Sequence, residues 1–188
     1  MQSEAFTSLV RPLQTTRTLI WISLNVAIVL YVVVACIQFG VPSTTAGAFS
    51  HPMAWPLVAI AVAATIAGRM FPTMFYPPQR LRDLLTRDAD LRAIARNPQT
   101  GALDEERLAK LEALSQQEQR LIAVAQASFT PFIVQLAIQE AVALCGLVLA
   151  FLSQSAAPVI PFAAAALLLN LMVPPKLDSV LAMAQGST

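Results

Sequence analysis

A 188-residue chain with mean hydropathy +0.64, 56% hydrophobic residues and only 12% charged ones is too apolar for an ordinary soluble domain, so lipid is part of its solvent. The formal net charge of +1 offers no basis for nucleic-acid binding. Cys36 and Cys145 both lie inside apolar runs with no Cys or His beside them, which excludes the usual zinc spacings and a disulfide framework and leaves them as small packing residues.

Arg11 and Arg17 precede a first apolar run over residues 18–39, long enough at about 1.5 Å per residue to cross a hydrocarbon core of about 30 Å. A second run covers residues 53–76, with Trp55 at one end and Phe71, Phe75 and Tyr76 at the other, as interfacial aromatics would stand. A third run, 132–152, and a short fourth, 159–173, are separated by the polar residues 153–158. The fourth is short enough to require little tilt or local thinning of the bilayer.

Lys and Arg sit before the first run, between the second and third, and after the fourth at Lys176, whereas residues 42–52 and 153–158 contain none. The positive-inside rule then makes the N-terminus, the middle segment and the C-terminus cytoplasmic, and an inner-membrane, multipass protein is expected. The alternative reading of the first run is a signal peptide cleaved near Ala46-Gly47-Ala48, against which the length of the run argues. The second and fourth runs exit through similar Pro-Pro sequences, Pro77-Pro78 and Pro174-Pro175, which end helices because proline lacks an amide donor and displaces its predecessor from helical geometry. Two parallel repeats, or two helices that end alike, both account for this.

The middle segment reads as a helical hairpin. Residues 80–96 carry Leu81, Leu84, Leu85, Leu91 and Ile94, with Asp83 and Arg87, then Asp88 and Arg92, spaced for pairing on one helix. Residues 97–101 form a turn. Asp104 caps a second helix with Glu105 and Glu106 in its first turn and an apolar stripe through Leu108, Leu111, Leu114 or Ser115, Leu121 and Ala125. This helix runs on toward the third membrane run, with Pro131 as a kink point. The hairpin packs within the protein or its oligomer, or meets a soluble partner over residues 80–120.

Polar residues inside the membrane runs are the candidate site. Asn25, Arg69, Gln135, Gln139, Glu140 and Asn170 form an intramembrane polar layer toward the cytoplasmic half of the bundle. Because a charge at mid-membrane costs on the order of 2.5–3.5 kcal/mol, such groups find partners. Three arrangements are open: an Arg69–Glu140 ion pair assisted by Asn25 and the glutamines; Arg69 reaching the headgroups while Glu140 is protonated and hydrogen-bonded; and Glu140 as a proton or ion site.

The stretch Glu140-Ala141-Val142-Ala143-Leu144-Cys145-Gly146-Leu147-Val148-Leu149-Ala150 resembles the carboxylate-bearing helix of the c subunit of rotary ATP synthases. That resemblance implies an ion-carrying role for Glu140. It is confined to these residues: the family pairs this helix with a glycine-repeat helix through a short polar loop, whereas the first run here is rich in Val and Ile and a charged hairpin fills the middle of the chain. A looser resemblance, to small uncharacterised bacterial multipass membrane proteins, implies no function.

Catalytic patterns are sparse. His51, next to Pro52, is the only histidine and reads as a loop residue; no metal site, cofactor site or nucleophile motif is expected. Small residues form packing ridges at Ala137, Ala141 and Cys145 and in the 163–166 block. The expectation is an all-α fold, a four-transmembrane-helix bundle of two hairpins that start and end in the cytoplasm, with segments at 1–17, 18–76, 77–128, 129–173 and 174–188. Its role is that of a non-enzymatic membrane subunit, embedded in the lipid bilayer, that assembles with itself or with a larger complex; the alternative is an ion-translocating protein using Glu140.

Overall fold

The computed structural model describes residues 3–42, 49–75, 77–96, 100–173, 175–177 and 180–181. Ala46-Gly47-Ala48, most of the 97–101 turn, Pro174 and most of the C-terminal tail lie outside them. The described residues are all-helical: α1 (Glu4–Phe39), α2 (Ala54–Phe75), α3 (Pro78–Thr86), α4 (Leu91–Ala95), α5 (Glu105–Glu112), α6 (Gln116–Ala127), α7 (Phe129–Ser153) and α8 (Val159–Leu171). Three stretches are long and apolar enough to cross a membrane: α1, α2, and α6 with α7 taken together; α8 is an apolar helix of 13 residues.

Helix α1 begins well before the first apolar run and carries Pro12 in its interior. Proline leaves the carbonyl four residues earlier without its amide, yet the helix persists. Hydroxyls of Thr15, Thr16 and Thr18 each bond to the carbonyl four residues back. Between α6 and α7 only Ser128 intervenes. Pro131 has no N–H to offer Ala127, the last residue of α6, so the break falls four residues ahead of the proline that causes it.

The middle segment is more broken than its pattern suggests. Asp90 accepts from the Ala93 amide and starts α4, which separates Asp88 from the helix of Arg92. Asp88 pairs instead with Arg120 at 3.2 Å and with Gln116 at 2.7 Å. Asp104 caps α5 by accepting from Arg107 at 2.9 Å. The helix that starts there stops at Glu112, because Ser115 and Glu118 form a reciprocal capping box that begins α6.

The chain divides into two units, one of residues 1–18, 73–132 and 175–188, the other of residues 19–72 and 133–174. In the first, Phe6, Ile94, Leu111, Leu121, Ile122 and Leu177 share one hydrophobic core. Polar ties reinforce it: the Ser3 amide donates to Glu118 at 2.8 Å, and the Gln14 side chain donates to the Pro175 carbonyl while accepting from the Leu177 amide. Hydrogen bonds from Ser3, then Ser115, hold the Glu118 carboxyl well below the usual range, at about 2. In the second unit α1, α2, α7 and α8 bury Ile28, Ala61, Val142, Ala143, Leu149 and Phe162. Large apolar side chains such as Leu19, Val26, Leu30, Ile37, Ile66 and Leu168 remain exposed, the pattern of helices whose outer face meets lipid.

Close helix approach in the second unit comes at Gly146; of the Ala137, Ala141 and Cys145 ridge, Cys145 is buried in the core, Ala141 is half-buried and Ala137 is exposed. A Cβ on Gly146 would lie 2.5 Å from Cβ of Phe162. Gly146→Ala therefore forces α7 and α8 apart, and the thermal midpoint in mild detergent should fall by the equivalent of about 1–3 kcal/mol. An unchanged midpoint would contradict this packing.

Candidate functional site

Helix register brings the polar residues of the second unit to one level. Helices α7 and α8 run antiparallel through the 154–158 turn, with Gly146 against Phe162. Asn170, eight residues further along α8, then stands opposite residue 138, eight residues back along α7. Gly68 of α2 faces Ile138 and Gln139, which places the adjacent Arg69 at the same level. Tyr31 of α1 reaches Glu140. Asn25, Tyr31, Arg69, Gln135, Gln139, Glu140 and Asn170 thus lie within a slab roughly 10 Å thick at about 1.5 Å per residue.

Within the slab the side chains fall into separate groups. The Tyr31 hydroxyl donates to Glu140 Oε1 at 2.5 Å, and Glu140 is half-buried. Arg69 is exposed and reaches the Met172 sulfur. Arg69 and Glu140 therefore take different partners. A second group joins α1 to α8: the Asn25 amide donates to the Trp21 carbonyl at 2.7 Å, the Trp21 indole donates to the Asn170 carbonyl at 3.1 Å, and the Asn170 amide donates to Asn25 Oδ1 at 3.5 Å. Gln139 is buried against α2, and Gln135 is half-buried.

Tyr31 and Trp21 were not distinguishable in the sequence from other large residues of an apolar run. Their roles depend on which residues of α7 and α8 they meet. In the first unit, Arg17 is another such case. It reads as one of the topology-setting cations, yet it is 3% exposed, donates from Nη1 to Ser128 Oγ at 2.9 Å, and lies 4.3 Å from the centroid of Phe132. Ser128 passes the contact on to the Ala125 carbonyl at 2.8 Å, so Arg17 grips the break between α6 and α7. His51 acts locally, its Nδ1 accepting from the Met53 amide at 3.2 Å ahead of α2. Cys36 and Cys145 are free thiols. Among the described residues no cluster of three His, Cys, Asp or Glu side chains could hold a metal ion.

The Tyr31–Glu140 bond makes a quantitative distinction. A double-mutant cycle of Tyr31→Phe with Glu140→Gln should give a coupling of about 0.6–1.7 kcal/mol in detergent unfolding, the range of interhelical hydrogen bonds in membranes. The cycle of Arg69→Gln with Glu140→Gln should give a coupling near zero. Equal couplings in the two cycles would contradict the assignment of partners.

A scan of protein-family models, a search of curated proteins and a search of solved structures return no match.

Proposed function

We propose that this chain is a four-span, non-enzymatic subunit of a bacterial inner membrane, carrying a folded helical platform on the cytoplasmic side for assembly with copies of itself or with a larger complex. The observation that carries this reading is the shared core of the first unit, to which Phe6, Leu111 and Leu177 contribute from three separate stretches of chain. Stretches that share a core lie in one aqueous compartment. The chain must then cross the bilayer an even number of times between them. Helices α1 and α2 are the first pair of crossings; α7 and α8 are the second. At roughly 20 Å, α8 crosses with local thinning of the bilayer. Arg11, Arg17 and Lys176, with the cations of residues 80–120, all belong to this unit, which supports a cytoplasmic location.

A platform with its own core differs from a loose loop in what it presents to others. The apolar stripe of α5 and α6 is covered from within the chain, Leu111 and Leu121 packing in one cluster with Phe6. A soluble partner at residues 80–120 would therefore meet the polar faces, where Glu105, Glu106 and Lys110 are exposed. Native mass spectrometry from mild detergent should give a homo-oligomer or a stoichiometric complex. A monodisperse 20.2 kDa monomer with no co-purifying protein would overturn the assembly role.

A second reading, a proton- or ion-translocating role for Glu140, is favoured by one observation: its side chain is met by a phenol rather than by Arg69. The two readings differ under Glu140→Gln. The second requires loss of carbodiimide labelling and of ion-coupled activity, while the first requires only lowered stability or assembly.

A further inference from the structure

Arg69 is the only Lys or Arg of the second unit, and Glu140 is its only acidic residue. Because Glu140 accepts from Tyr31, the exposed guanidinium of Arg69 meets instead the sulfur of Met172, an uncharged and weak acceptor. Met172 is the residue that ends α8. The arginine side chain therefore reaches along the bundle to the level where α8 stops, and sets its charge where that helix leaves the apolar layer. No carboxylate of the unit neutralises it there, so the matching anion comes from outside the unit.

The surface beside Arg69 selects what carries that anion. Val58, Val62 and Thr65 share one face of α2 with Arg69, at successive steps of four, three and four residues. The first three line a groove of about 210 Å³ with Ala165 of α8 and Val142 of α7. The Thr65 hydroxyl is engaged by the Ala61 carbonyl at 2.9 Å, which leaves the groove apolar. Phe49 and Phe162, ring centroids 6.3 Å apart, stand in its wall. One further turn of α2 beyond Thr65, and two of α8 beyond Ala165, bring both helices to the Arg69 and Met172 contact. Eleven helical steps from Val58 to Arg69 span roughly 16 Å, close to one leaflet's half of a hydrocarbon core of about 30 Å. An apolar groove one leaflet long, leading to a cation without a counter-ion, fits an amphiphile with a hydrocarbon chain and a negative head. A second copy of this unit would bring only its own Glu140, which Tyr31 already holds.

We propose that Arg69 and the groove between α2 and α8 bind an anionic phospholipid, its phosphate on the Arg69 guanidinium and one acyl chain along Val58, Val62 and Thr65. A guanidinium presents paired donors to phosphate oxygens, which suits this role. The 13 residues of α8, about 20 Å long, draw the headgroup layer inward toward Arg69. The inference rests on α2 and α8 lying in lipid, as proposed above, and not on which side of the membrane is cytoplasmic.

Native mass spectrometry of the full chain in mild detergent, titrated with phosphatidylglycerol or with phosphatidylcholine of identical chains, tests this. One phosphatidylglycerol should bind per chain in preference to phosphatidylcholine. Arg69→Gln should weaken it about fivefold, the loss of one cation at a lipid surface, while Arg11→Gln leaves it unchanged. Ala165→Phe, at an exposed position, fills the groove and should weaken both lipids with Arg69 intact; Val62→Phe serves the same purpose should Ala165→Phe not fold. Equal retention of the two lipids, an equal loss in Arg11→Gln, no effect of filling the groove, or a dimer held through the groove in place of lipid would overturn the proposal. A chain that alkaline carbonate strips from liposomes would overturn the membrane-spanning reading along with it. A chain that stays embedded yet shows no preference for phosphatidylglycerol would overturn the lipid site alone.

Discussion

Three stretches of chain, separated from one another by long apolar helices, have to meet to build one hydrophobic core, and the rest of the molecule is arranged around that requirement. Phe6 near the N-terminus, the α4–α6 segment and Leu177 near the C-terminus are each too short of apolar surface to fold alone. Gln14 secures the last stretch with both ends of its amide, one to the Pro175 carbonyl and one from the Leu177 amide. Ser3 does the same for the first through Glu118, whose other oxygen starts α6. The same residue thus caps a helix and ties down the beginning of the chain.

The second unit answers a different physical problem. Its helices have no hydrophobic gain from contacting one another in lipid, so small residues and a few hydrogen bonds carry the association. Gly146 lets Phe162 lie against the α7 backbone, and buried Ala143, Ala163 and Ala166 continue the tight seam. Tyr31 with Glu140, and Trp21 with Asn25 and Asn170, join α1 to α7 and to α8 respectively. An Arg on the outer surface, Arg69, stands apart from both groups.

Much of this was legible in the sequence, for reasons that particular residues make clear. Apolar run length identifies the long helices, and the stripe through Leu111, Leu114, Leu121 and Ala125 is the buried face of the middle segment. Its helix breaks were legible too but outweighed by hydrophobic spacing: Ser115 three residues before Glu118 is a capping-box signature, and Asp90 is a cap ahead of α4. Partners across helices were not legible, because they follow from register. Nothing local marks Tyr31 as the residue that meets Glu140, or Arg17 as a buried grip on Ser128 instead of a solvated cation. Charge complementarity favours Arg69 with Glu140, yet the direction each helix face takes gives them different neighbours.

The central claim is that one aqueous body is built from three stretches on one side of the membrane, and sidedness measures it directly. In a chain with Cys36 and Cys145 replaced by alanine, single cysteines at Ser8, Gln117, Lys176, Ser50 and Gln154 can be probed in spheroplasts with a membrane-impermeant maleimide. The account predicts immediate labelling of Ser50→Cys and Gln154→Cys, and labelling of Ser8→Cys, Gln117→Cys and Lys176→Cys only after permeabilisation. Any one of those last three reacting from the opposite side to the other two would contradict it.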